Sequence, residues 1–184
     1  GSGPFAYYRY TQTDASFVGV DASTQYELTR NFSIREGASL LRAKDVAQND
    51  FLIFIPSNRY DISLRYESTT RNKAFFAQTK LKYVDEQRRA PRVVSPEEIL
   101  LAKSQGIDLL ANDPRNFDFL TAPKGYALLS VSTGLSVPVN NTKLDFRISA
   151  DNLTNTRYRE YTNRMRYFAN EIGRNVSVAV NLSF

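Results

Sequence analysis

Four arginines and three tyrosines crowd one stretch near the C-terminus: Arg157, Arg159, Arg164 and Arg166 with Tyr158, Tyr161 and Tyr167, inside residues 153–173. Guanidinium forks make charge-assisted, often bidentate hydrogen bonds to oxyanions, and tyrosine adds a flat ring and a hydroxyl. The mixture suits capture of an anionic or catecholate ligand. The competing use of each arginine is pairing with a loop carboxylate or a lipid phosphate, because exposed arginines are commonly solvated or weakly paired. Arg88, Arg89 and Arg92 pose the same choice earlier in the chain. The candidate ligand set is therefore Arg88, Arg89, Arg157, Tyr158, Arg159, Tyr161, Arg164 and Arg166. Asn152, Asn155 and Asn175 fit a different task, pinning the loop through side-chain to backbone bonds.

Catalysis has little to work with. The 184 residues include no His and no Cys, which removes imidazole bases, thiolate nucleophiles, disulfides and zinc-finger sites. A hydrolase would need a Ser-Lys or paired-carboxylate site, and no spacing demands one. The adjacent Glu97 and Glu98 fall in the first turn of an expected helix, where acids complement the helix dipole. No catalytic residue, metal site or cofactor is expected, and the protein is not expected to be an enzyme. The 24 basic against 19 acidic residues give +5, enough to favour an anionic ligand or lipid surface and too little to argue for nucleic acid.

The elements that must position these loops are strands. Tyr and Phe number 11 and 12, a bias toward β structure. Val176, Val178, Val180, Leu182 and Phe184 alternate with polar residues, and Leu144, Phe146, Ile148 and Ala150 do the same. The period of two recurs at Ala127–Val137, Phe75–Tyr83, Ile62–Tyr66, Phe32–Leu40 and Val18–Leu28, with Glu36 the main interruption. The reading is an all-β, antiparallel up-and-down meander of about seven to eight strands. The polar faces carry Arg65, Glu67, Lys80, Lys82, Asp145 and Arg147, and aromatics (Tyr26, Phe32, Tyr66, Phe75, Tyr83, Phe184) sit near strand ends.

Connections alternate between short turns (29–31, 68–72, 140–141) and long loops (43–60, 87–124, 153–173). A meander with this alternation puts every short turn at one end and every long loop at the other, the asymmetry of outer-membrane β-barrels, and the aromatics would suit an interfacial girdle. Period two reads the same whether the apolar face points outward to lipid or inward to a core. A small soluble β-barrel or sandwich binding an apolar ligand is therefore the alternative. The longest loop holds Ser95-Pro96-Glu97-Glu98 and Gly106, which predicts a short helix near 96–105. The apolar run 51–55 is far too short for a membrane-crossing helix.

Residues 150–161 read Ala-Asp-Asn-Leu-Thr-Asn-Thr-Arg-Tyr-Arg-Glu-Tyr, followed by Tyr167-Phe168-Ala169, Gly173-Arg174-Asn175 and a closing Phe184. This pattern resembles the C-terminal signature of TonB-dependent outer-membrane receptors. Tyr10-Thr11-Gln12-Thr13-Asp14-Ala15 with Gly19-Val20, Ile55-Pro56-Ser57-Asn58-Arg59, and Glu86-Gln87-Arg88 with Ala90-Pro91 resemble the same family in the same order. The resemblance implies that residues 4–184 are the C-terminal part of a 22-stranded transmembrane barrel in the bacterial outer membrane. Residues 1–3 read as a cloning scar, and residues 4–12 as a truncated loop or stub of strand. It further implies an active-transport receptor for a scarce nutrient, most often a ferric siderophore, whose plug and energy-coupling box do not occur here. The fragment alone is then expected to be unable to transport. Implied partners are the rest of the barrel and plug, the TonB system through the missing N-terminal part, lipopolysaccharide and other outer-membrane lipid, and the barrel-assembly machinery. The last of these would read Val178, Val180, Leu182 and Phe184.

Overall fold

A computed structural model describes residues 12–111, 113, 115–140 and 142–183. Among these, the strands in chain order are β1 (Ala15–Glu27), β2 (Phe32–Asp45), β3 (Asp50–Phe51), β4 (Arg59–Thr70), β5 (Lys73–Val84), β6 (Arg92–Val93), β7 (Phe117–Asp118), β8 (Tyr126–Val139), β9 (Thr142–Asp151) and β10 (Asn175–Ser183). Seven long ones pair antiparallel in the order β1-β2-β4-β5-β8-β9-β10, with β3 folded back onto β2 and β6 pairing β7 apart from the main sheet. Edges β1 and β10 meet no neighbour among the described residues, so the sheet is open. Phe184, the expected terminal aromatic, and Tyr10, Asn141 and the expected stub at 4–11 lie outside the described residues.

Register makes the alternation of each strand add up to one surface. Ile34 faces Leu64, Ile62 faces Leu81, and Leu81 faces Leu129. Leu135 faces Phe146, and Phe146 faces Val180. A slip of one residue in any pair would transfer that strand's apolar set to the other side. The apolar face is open along its length: Val18 is 67% exposed, Ile148 50% and Val178 70%. Rings Phe32 and Tyr66 (4.9 Å) and Tyr66 and Phe75 (6.2 Å) form a row toward the short turns, and Tyr60 stacks with Tyr83 toward the long loops.

The opposite face is polar and internally bonded. Arg65 donates to Glu67 and to Gln78 and lies 4.2 Å over the Phe76 ring, with Arg147 at 5.4 Å over the same ring. Gly134 makes room for that ring, since a Cβ there would overlap Phe76 and crowd the Phe146 carbonyl.

Strand ends correct the expected boundaries. β2 continues to Asp45 and β4 runs to Thr70, so the first long loop shrinks to residues 46–58 and the 68–72 turn to two residues. Arg71 (φ 47°) and Asn72 (φ 66°) supply the paired positive φ that a two-residue hairpin turn needs to match strand twist. Helix α1 (Pro96–Ser104) starts on a capping box, with Ser95 Oγ accepting from the Glu98 amide and the Glu98 carboxylate from the Ser95 amide. Gly106 follows it with φ 77°.

Candidate functional site

Among the described residues, the buried ones concentrate in the long connections, residues 46–58, 85–125 and 152–174, all at one end of the sheet. Arg166 and Asp118, both 1% exposed, form a salt bridge across 48 residues. The Tyr167 hydroxyl donates to Asp118 Oδ1 at 2.6 Å. Around the Arg166 guanidinium stand the rings of Tyr167 at 4.5 Å, Tyr161 at 4.7 Å and Phe54 at 6.0 Å. Phe119 meets Tyr167 edge-on. Each of the three connections thus contributes at least one side chain to a single cluster. Phe54 pays a conformational cost to reach it, with φ 62° in the left-handed region.

Local geometry explains how residues 152–174 turn back to the cluster. Asn152 (φ 49°, 4% exposed) accepts from the Thr156 amide at 2.8 Å and donates to the Thr156 carbonyl at 2.9 Å. Asn155 (φ 53°) accepts from the Arg174 amide at 3.0 Å, closing the loop base. Asparagine tolerates such φ values and bonds its own backbone, so both residues serve as corner posts. Asn163 caps a 3-10 turn, Arg164–Tyr167, by accepting from the Met165 amide. The loop is anchored to the sheet through Glu160, which accepts from the Tyr126 hydroxyl and from Lys82 at 3.4 Å.

The candidate ligand residues divide by their surroundings. Tyr161 is 3% exposed and Arg166 is buried, so both are occupied with protein groups. Tyr158 is half-buried against Tyr126, rings 4.4 Å apart. Arg159 is half-buried and donates to Asn170 Oδ1 and to the Arg166 carbonyl. Arg164 lies exposed over Phe54 at 5.4 Å. Arg157 is exposed, and Arg88 is exposed beside Glu86. Arg89 donates to Asn58 Oδ1, and burial and then the charge of Arg42 push its basicity down. Arg159 and Arg166 also line a cavity of about 410 Å³ with Thr121, Lys124 and Glu86. Residues Asp118, Phe54, Phe119 and Lys124 join this end of the molecule without a local sequence signal, since their partners lie in other loops.

Tyrosine acidity follows the packing. Burial, then the charge of Asp118, pushes the Tyr161 phenol well above its ordinary range. Burial, then Glu171 and Glu160, moves Tyr158 in the same direction. Both rings therefore act as neutral hydroxyl-bearing surfaces at neutral pH. Among the described residues no cluster of three or more Asp, Glu, His or Cys is placed to hold a metal ion.

No protein-family model matches the chain, and no curated protein matches it in sequence. Among solved structures it superimposes on the copper transporter OprC with a TM-score of 0.70 over 95% of its length, at 21% identity. The fold is shared with a transporter. The match takes in 24% of OprC, so the chain spans about a quarter of the length of that protein.

Proposed function

We propose that this chain is a C-terminal wall segment of a TonB-dependent-type receptor in the bacterial outer membrane, taking part in import of a scarce nutrient. The observation that carries this reading is one register-locked apolar face across seven strands, with two-to-four-residue turns at one end and every long connection at the other. Such an expanse of exposed apolar side chains belongs against lipid rather than water. The shared fold with OprC supports it.

The nutrient in this reading is an anionic chelate, a ferric siderophore being the leading case. Soft donors favour copper, and this chain has no His, no Cys and one Met. Its outer loops offer guanidinium and phenol groups instead, with Arg88, Arg157 and Arg164 the most accessible and Arg159 and Tyr158 behind them. Further strands would close the barrel toward 22, a plug would fill it, and TonB would act through that plug. Val178, Val180 and Leu182, on the exposed apolar side of β10, would be read with Phe184 by the assembly machinery. The segment acts as part of a transporter, not as an enzyme, and does not transport alone.

Cell fractionation followed by native mass spectrometry tests the reading. A particle in the outer-membrane fraction that stays folded only in detergent is expected. A folded monomer of 20.9 kDa in plain buffer would overturn it in favour of a soluble barrel or sandwich.

A further inference from the structure

Glu36 is the only carboxylate that register places on the apolar face of the seven-stranded sheet among the described residues. It lies opposite Thr24 on β1 and Ile62 on β4. Ala22 and Ala38, also on this face, are small, so the surface dips into a hollow of about 490 Å³. Tyr60, Leu81 and Tyr83 wall its far side. The side chain is exposed, and no hydrogen bond or ion pair reaches it among the described residues.

Four residues beyond Phe32 and six before Arg42, Glu36 sits within the apolar band rather than at its border. A carboxylate facing hydrocarbon is costly, and acids at such depth characteristically face protein and find a partner there. The donors that would satisfy it stand beside the hollow. Tyr60 and Tyr83 present stacked rings 6.4 Å apart, and each carries a hydroxyl. Acceptor in a hollow and donors on an adjoining ridge make this patch complementary to itself, which is what a two-fold contact requires. On the far flank, β8 to β10 carry Val131, Leu135, Phe146, Ile148, Val178 and Val180 without any charge, a surface suited to lipid alone.

We propose that the β1–β5 face is where two copies of this protein meet within the bilayer, each Glu36 accepting from the tyrosine hydroxyls of the other copy. In register Ile62 lies between Glu36 and Leu81, with the Tyr60–Tyr83 pair next along the strands, so an axis passing near Ile62 sets Glu36 against the Leu81 and Tyr83 side of the other copy and keeps the two carboxylates apart. This inference rests on the membrane reading above.

The absence of cysteine allows a direct test with single-cysteine variants and a short bis-maleimide in intact outer membranes. Ile62→Cys is expected to give a cross-linked pair of copies, while Val178→Cys does not. Adding Glu36→Leu is expected to reduce that pair by about a hundredfold, the loss of one charge-assisted hydrogen bond from each of the two copies. Tyr83→Phe is expected to reduce it less, and Glu36→Gln to preserve most of it. Three outcomes overturn the inference while leaving the receptor reading intact: equal cross-linking at positions 62 and 178, pairing indifferent to Glu36→Leu, or an adduct whose mass shows a different protein. Absence of the chain from the membrane fraction overturns both.

Discussion

The sheet and its loop cluster solve opposite packing problems. On the sheet, apolar side chains such as Val18, Phe146 and Val178 stand outward and strands β1 and β10 are exposed at every described position. Among the loops, the most completely buried side chains are an arginine and an aspartate, ringed by Phe54, Tyr161 and Tyr167. The contrast teaches that each region is stabilised by a different surrounding. In the membrane reading proposed above the sheet relies on an apolar medium outside itself, whereas the cluster supplies its own shelter for a charge pair.

That contrast breaks most sharply at Arg166→Leu. The change strands Asp118 in a site that excludes water, at a cost of about 3–5 kcal/mol. Rapid proteolysis of residues 85–125 and 152–174 is expected while the sheet stays protected, read by mass-mapped limited digestion. Val178→Arg and Phe146→Arg attack the other region. Each should oppose bilayer insertion by about 2–4 kcal/mol near the membrane centre, measured as a drop in folded yield in lipid vesicles, while Arg147→Ala on the polar face stays mild. Gly134→Ala probes the polar face itself. Displacing Phe76 from between Arg65 and Arg147 should cost about 1–3 kcal/mol in urea unfolding, whatever the lipid.

The smallest expected effect is alkaline. The folded Tyr161 phenol is less acidic than an unfolded one, so its contribution is complete below the ordinary tyrosine value of about 10 and is lost as pH rises through the folded value. Phenolate absorbance should show a late-titrating tyrosine that Tyr161→Phe removes, with the loops loosening in the same range and the sheet unaffected.

How much of this was legible in sequence depended on the range of the interaction. All seven long strands fall where period two places them, because alternation is local and every strand obeys it. Ser95 and Pro96 mark the start of α1 for the same reason, a cap acting within one turn. The two-residue strands β3, β6 and β7 carry no such pattern and form only because the loops fold over one another. The Arg- and Tyr-rich stretch was visible as composition, yet its division into exposed Arg157 and buried Arg166 was not. That division depends on Asp118, whose sequence surroundings say nothing of a partner in another loop. Glu36 was visible as an irregularity, and only the register shows that no other acid among the described residues shares its face.

The strict chain-order pairing of the sheet also dictates how it can assemble. Turns of two to four residues join β1 to β2, β4 to β5 and β8 to β9, so three hairpins can zip on the microsecond scale expected of local pairings. Joining hairpin to hairpin must wait for connections of 13 to 41 residues to close, counting residues 46–58 and 85–125. Chain entropy grows only logarithmically with that length, so the longest loop adds delay more than instability. The last strand, β10, joins across residues 152–174, whose corner is already preset by Asn152 and Asn155. By this ordering the join of β5 to β8 across residues 85–125 is the slowest step, and β10 docks onto β9 ahead of it.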